Sequence, residues 1–467
     1  MRARISAKFV ALLGRLSAGR SFQSLIVFAL KAAGGLSGYL LFALIARQSG
    51  VEQFGMFSVL FSAAMMAGMA GSMGQQVFLV KEIPSAQHSQ DPHLEGRTYL
   101  FSFVATLIGS AVAGLSFYLC AIYFYPDAAI SVAIGGALLS VTFAASQTTL
   151  GALRIQSRVV LAVASRDVIW RIATAGVIAC IPWLLPEHAV DAGSALLVMG
   201  ATLLAIVLWH AIVLSRRFHG RLSFRGVVSR RWLQLTAGLT LVAVISSADL
   251  YIFSIALGGL VPASEVGPFF AAMKTVEVIN LLLMSVALVM GPHIARAIAA
   301  KNLRRAQAEC NTAIAIQGVP AVLACIGVIY FAPQLLGLFD PAFAQHADVL
   351  YILTAGVLVN ALAGPTVLML QLVDLHWRQV AMQGGSLLAA LALLPAAVDL
   401  YGLIGAAYCY ALSKLAWNVA AVLSCRRRAG VDPSCLGLFG SGALTYKEGV
   451  QEFRRKMTGA VNAKHKV

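Results

Sequence analysis

Charge is scarce in this sequence. Of 467 residues only 12 % are Asp, Glu, Lys or Arg and 59 % are hydrophobic, where soluble domains carry about 25 % charged residues. A water-facing surface for a chain of this length cannot be covered by so few charges, and the mean hydropathy is +0.82. Acidic side chains are the rarest, 19 against 35 lysines and arginines. Catalytic and metal-binding signatures are missing as well. The nine histidines make no HExxH, the seven cysteines (120, 180, 310, 325, 409, 425 and 435) make no CxxC, and there is neither a Walker motif nor a nucleophile elbow. These absences argue against an enzyme, against hydrolysis of ATP by the chain itself, and against a cofactor or metal. The cysteines read as small buried hydrophobes.

Long apolar runs fill the space instead. A spanning helix needs about 20 mainly apolar residues, and twelve such runs are predicted, at 25–46, 54–79, 99–124, 128–152, 163–185, 194–214, 236–260, 267–291, 312–332, 347–372, 380–398 and 402–424. The 41 glycines suit close helix packing in lipid. The fold class is therefore an all-α polytopic membrane protein. Residues 1–24, with Arg2, Arg4, Lys8, Arg15 and Arg20 set among Ile5, Phe9, Leu12, Leu13 and Leu16, read as a basic amphipathic segment on a membrane surface.

The net charge of +16 is not a nucleic-acid footprint, because its charges are spread over short loops and the termini. Twelve spans put both termini on one side. Lysine and arginine then number five in 1–24, six in 215–235 and nine in 425–467, with the rest of that side's basic residues in its shorter loops. The opposite loops hold Arg47 alone. Such asymmetry predicts that the termini and basic loops are cytoplasmic.

The chain also repeats. IYFYP (122–126) ends the third span and IYFAP (329–333) the ninth; QFGMF (53–57) pairs with EVGPF (265–269), and residues 138–158 align with 358–378. Two six-helix lobes of the same orientation follow, at 25–214 and 236–424, joined by a basic loop at 215–235 and followed by a basic cytoplasmic tail at 425–467. That is an alternating-access plan.

Four stretches carry a family resemblance. ALIARQSGVEQFGMFSVLFS (43–62) resembles the first-to-second helix junction of polysaccharide flippases. VGPFFAAMKTVEVINLLLMSVALVMGPHIARAI (266–298) is similar to their eighth helix. Residues 335–372, with Asn360, Ala361 and the Gly364-Pro365 pair, resemble the ninth-to-tenth junction, and DLYGLIGAAYCYALS (399–413) resembles the start of the last helix. The resemblance implies the multidrug/oligosaccharidyl-lipid/polysaccharide (MOP) exporter superfamily, with its MATE-like fold. It implies a flippase that moves undecaprenyl-pyrophosphate-linked oligosaccharide across the bacterial inner membrane, alongside glycosyltransferases and a polymerase of the same pathway. A drug or metabolite antiporter is the alternative. A polysaccharide polymerase or ligase is disfavoured, because every outward loop is short.

Such cargo needs cations for its phosphates and polar groups for its sugars, and ionisable residues inside spans are the first places to look. Lys274 lies about 10 Å into the eighth span at 1.5 Å per residue, with Glu277 and Asn280 on its face. It is either a phosphate contact held by Glu277 or one end of a structural ion pair. Lys414, mid-span in the twelfth run, and Lys31, near the cytoplasmic end of the first, are further cationic positions, with snorkelling the rival for Lys31. Asp249, mid-span in the seventh, is either a coupling-ion site or a salt-bridge partner. Gln75, Gln76, Gln147, Asn360 and Gln371 are either sugar contacts or helix-to-helix hydrogen bonds. Arg166 and Arg171 read as interfacial, and the aromatics near Tyr118, Tyr123, Phe124, Tyr125 and Trp183 as an interfacial belt. The topology predicts that reporter fusions after residues 220 and 440 both read cytoplasmic; a periplasmic signal at either breaks it.

Overall fold

The computed structural model describes residues 20–88, 92–126, 130–184, 189–216, 229–373 and 375–439. Most of the N-terminal basic segment, the centre of the 215–235 loop and the tail beyond 439 lie outside the described residues. Within them the chain is helical, with no strand. The long helices are α1 (Arg20–Gly71), α2 (Gln75–His88), α3 (Pro92–Phe124) and α4 (Ile130–Ile155). Next come α5 (Val159–Val163) and α6 (Trp170–Leu184), joined by a π-helical turn at Ala164–Ile169. Then follow α7 (Ala192–Ser215), α8 (Arg230–Leu257), α9 (Ala263–Ala299), α10 (Leu303–Tyr330), the short α11 (Ala332–Gly337), α12 (Ala347–Ala363), α13 (Thr366–Leu372) and α14 (His376–Ser424).

Nine helical segments among the described residues are long and apolar enough to cross a membrane. Two of them, Ala29–His88 and Trp377–Ala429, have 60 and 53 residues, about 80–90 Å at 1.5 Å per residue against a hydrocarbon core of about 30 Å. Each must therefore break. Gly50 breaks α1 with φ 77° and ψ 171°, and Gly402 breaks α14 with φ 57° and ψ −139°. A side chain at the Gly50 angles would clash with its own backbone.

The chain divides into two compact units. The first runs to Ala271 and includes Gly337–Ala342; the second takes Ala272–Leu336 and Phe343 onward. Helix α8, which the repeat assigns to the second lobe, packs within the first unit. There Gln75 donates to Thr236 Oγ1 at 3.2 Å and Trp232 Nε1 donates to Glu82 at 3.2 Å. Aromatic rings knit the first unit further. Phe42 meets Phe61 and Phe270 edge-on at 5.1 and 5.3 Å, and Phe54 stacks on Phe57 at 6.0 Å, each pair adding about 0.5–1.5 kcal/mol beyond its burial. In the second unit Trp417, Met290, Ile294, Cys310, Leu370 and Cys425 form a core that joins α9, α10, α13 and α14.

Both IYF stretches fall at helix ends. Tyr123 and Phe124 end α3 as an edge-to-face pair at 5.0 Å, and Tyr330 and Phe331 form the same pair at 4.8 Å where α10 ends. All four rings are exposed, as an interfacial belt requires. The cysteines behave as expected only in part. Cys310, Cys325, Cys409 and Cys425 are buried, Cys120 and Cys180 are exposed, and all seven are free.

Gly50→Ala should lower the thermal midpoint in detergent by an amount matching a cost of about 1–3 kcal/mol. Gly176→Ala in α6, where a Cβ meets nothing within 4 Å, should leave it unchanged or slightly higher.

Candidate anion site

The π-helical turn Ala164–Ile169 sets the geometry of a charged cluster in the first unit. A π turn spends one extra residue, which swings the following side chains round the axis, and such turns frequently mark functional sites. Here it aims Arg166 and Asp167 into the bundle. Ser165 anchors the turn by bonding Leu161 O at 2.8 Å and His210 Nε2 at 2.7 Å, while His210 Nδ1 meets Thr149 Oγ1 at 3.1 Å. His210 is wholly buried and its two ring nitrogens face only hydroxyls, so it ties α4, the turn and α7 together.

Asp167 is the only acid in this cluster, and basic groups surround it. Lys31 Nζ lies 2.6 Å from Oδ2, and Arg166 Nε lies 3.6 Å from Oδ1. Arg166 also donates through Nη1 to Gln147 Oε1 at 2.6 Å and sits over the Phe143 ring at 5.3 Å. Gln147 turns its amide nitrogen to Met69 Sδ at 3.4 Å. Arg171, one helical turn on, donates to the carbonyl of Gly34. Arg154, at the end of α4, lies within electrostatic reach of Lys31, Arg166 and Asp167. Four cations therefore share one carboxylate.

Two glycines of α1 make this approach possible. A Cβ on Gly34 would come within 2.9 Å of Asp167, and one on Gly38 within 2.8 Å of the Arg171 guanidinium; real Cβ contacts do not come so close. Ser37, between them, donates to Gly34 O at 3.0 Å. The sequence FALKAAGGLSG thus places a lysine, two packing glycines and a hydroxyl on the α1 surface that receives the π turn.

The other expected positions fall in different surroundings. Lys274 is 7 % exposed and pairs with Glu277 at 2.8 Å along α9, and Glu277 is 33 % exposed. Lys414 is buried in α14 with its ammonium 5.2 Å from the centre of the Tyr410 ring. Asp249 is buried in α8. Asn280 and Asn360 are half-buried. Gln75 is fully buried and bonds Met73 O and Thr236, which favours the helix-to-helix role over a sugar contact. Gln371 donates to Gln379 at 3.4 Å. The structure joins Lys31 and Gln147 through Arg166 and Asp167, and pairs Lys274 with Glu277.

Sequence reading missed the residues that make the joining. Arg166 and Arg171 were expected at the membrane boundary, but both are half-buried with guanidinium groups turned into the bundle. The available signal was SRDVIWR itself, a carboxylate between two arginines at the start of an apolar run. Among the described residues no group of three His, Cys, Asp or Glu could hold a metal.

No family model matches the chain, and no curated protein does. Solved structures are similar. The inward-facing conformation of a multidrug resistance MATE family transporter of the MOP superfamily aligns with a TM-score of 0.64 at 16 % identity, covering 86 % of this chain and 94 % of that one. Its outward-facing counterpart gives 0.62 at 14 %, covering 87 % and 95 %. A MOP superfamily transporter from Pyrococcus furiosus Vc1 (DSM3638), described as having a binding pocket of reverse polarity that suggests a different function, gives 0.60 at 13 % over 87 % and 95 %. At these identities the likeness is one of fold: this chain has the MATE-type fold of the MOP transporters.

Lys31→Ala and Asp167→Asn should each lower thermal stability in detergent. Asp167→Asn should cost more, because it strands several cations. The double change should cost less than the sum, with a coupling of about 1 kcal/mol or more. Additive losses would show that the pair does not interact.

Proposed function

We propose that this protein is a membrane flippase of the MOP type that carries polyprenyl-pyrophosphate-linked oligosaccharide across the bacterial inner membrane. The observation that carries the reading is the set of four cations around Asp167. A pyrophosphate entering a helix bundle must exchange its water for fixed donors, and Arg forks match phosphate oxygens in geometry as well as charge. Asp167 holds those donors in the empty protein, so an incoming anion exchanges with a carboxylate rather than meeting bare buried charge. The polyprenyl tail needs no polar partner and stays in lipid.

Within the second unit, taken by itself, two buried cations are held, Lys274 beside Glu277 and Lys414 over Tyr410. Asp249, Glu277, Asn280 and Asn360 are the polar groups proposed to serve coupling and the sugars. Since the chain has no nucleotide motif, drive comes from an ion gradient, the membrane potential or consumption of product by the polymerase and glycosyltransferases of the same pathway. Both termini are cytoplasmic in this proposal. The Pyrococcus relative's description indicates that this fold admits pockets of more than one polarity. The drug-antiporter alternative draws on the multidrug names of the other neighbours, but cationic drugs would be repelled by the Arg166 and Arg171 cluster.

Reconstituted in liposomes, the protein should translocate lipid-linked sugar. Arg166→Gln with Arg171→Gln should reduce that rate by about tenfold or more, since each charged hydrogen bond contributes about 1.5–3 kcal/mol and 1.4 kcal/mol is tenfold. Lys274→Ala with Lys414→Ala should do the same while the protein remains folded in the membrane. Activity confined to small cationic dyes would favour the antiporter.

A further inference from the structure

Beyond α14 the chain stays on the second unit. The helix passes into a π-helical turn at Cys425–Ala429 and stops at Gly430, where φ is 66°. The segment that follows is clamped to the start of α10. Gln307 donates through Nε2 to Asp432 O at 2.6 Å and accepts at Oε1 from Asp432 N at 2.7 Å. Asn311, one turn on, donates to Gly437 O at 3.4 Å. Asp432 ties the segment to itself, accepting from Ser434 N and Oγ at 3.0 and 2.6 Å and from Arg426 Nε at 2.8 Å. Val431 and Pro433 are buried, and Pro433 O lies so close to Gly364 that a Cβ there would not fit.

These contacts give the segment a direction. Gly430 packs against Leu303, Asp432 bonds Gln307 and Gly437 bonds Asn311. From Leu303 to Asn311 is about 12 Å along the axis at 1.5 Å per residue. The chain therefore descends beside α10 toward the apolar run that begins at residue 312. Its composition changes on the way. At the top, Lys301, Arg304, Arg427 and Arg428 are exposed and make no ion pair among the described residues, while Arg305 and Arg426 are paired with Glu309 and Asp432. Lower down, Leu436 is 59 % exposed and Phe439 83 %. A clamp that holds two large apolar side chains outward, below a cluster of unpaired cations, suits a membrane interface and not water.

We infer that this surface binds anionic glycerophospholipid, in the leaflet on the side where α10 begins and α14 ends. Lys301, Arg304, Arg427 and Arg428 take the headgroup phosphates, and Leu436 and Phe439 enter the acyl region beneath them. The order of charge above apolar surface matches the order of phosphate above chain in the lipid. A soluble phosphate would satisfy the cations and leave both apolar side chains uncovered. The partner is thus a lipid held at the rim of the second unit, and the inference needs only that the chain spans a membrane.

A lipid titration tests it. The full-length protein in a neutral detergent is titrated with phosphatidylglycerol, phosphatidylcholine or inorganic phosphate, and the thermal midpoint is followed. Phosphatidylglycerol should raise the midpoint saturably, and the other two should do so weakly or not at all. Lys301→Gln with Arg427→Gln and Arg428→Gln should raise the phosphatidylglycerol concentration at half effect by about tenfold or more, since each cation near an anionic surface contributes about fivefold. A matched loss of three exposed charges in the first unit, Lys81→Gln with Arg216→Gln and Arg230→Gln, should leave it near the parent value. Leu436→Ser with Phe439→Ser should also weaken the lipid response while leaving its salt dependence unchanged. Equal responses to the two lipids, an equal response to inorganic phosphate, or equal losses in the two charge variants would each overturn the inference. So would an unaltered response after the Leu436 and Phe439 changes. No cargo enters the titration, so this surface and the flippase reading stand or fall separately.

Discussion

A cation kept inside an apolar helix bundle needs a counter-charge within reach, and this constraint organises the first unit. Lys31, Arg154, Arg166 and Arg171 are compensated by Asp167, by the Gln147 amide, by the Phe143 ring and by the Gly34 carbonyl. No single partner suffices, because one carboxylate cannot neutralise four cations and desolvation makes each unpaired charge costly. The compensation is also incomplete: one carboxylate is shared among several donors that the helices hold in place.

Two backbone devices hold this arrangement. The π turn swings Arg166 and Asp167 inward, and Gly34 and Gly38 let α1 come close enough to receive them. Small residues at helix contacts are the usual route to close approach in lipid, where there is no hydrophobic drive between helices. The Gly50 break acts at the other end of the same α1 segment, where it ends one crossing and shapes the seat of the 337–342 segment. One helix thus carries the Lys31 end of the charged cluster near its start and the contacts to residues 337–342 around its break.

Much of the fold was legible because length and hydropathy are physical limits on a membrane helix, and the charge pattern supplied the alternation. The adjacent aromatics at 123–124 and 330–331 both lie where a long helix ends, at the two short repeats of the sequence. The site was less legible. Lys274 and Glu277 were visible as a pair because i,i+3 spacing on a regular helix fixes their meeting. Lys31 and Asp167 were not, since 136 residues separate them and their meeting depends on a π turn, which hydrophobic periodicity does not register. Arg166 and Arg171 misled for the same reason. On a straight α-helix their place near the start of a span reads as interfacial, whereas both guanidinium groups donate to neighbouring helices. The packing of α8 in the first unit was equally hidden, because a repeat reports ancestry of helices and not which neighbours they touch.

The π turn has a further consequence for the kinds of change this site tolerates. Substitutions within Ala164–Ile169 alter one side chain at a time and leave the rest aimed as before. Loss of a single residue there would restore regular α-helical winding with α5 and α6 still in phase, so the side chains inside the turn alone would be re-aimed. Asp167 and Arg171 would then no longer face α1 together, although every charged side chain was still present. The geometry of this cluster therefore depends on chain length at one turn as well as on the charges it carries.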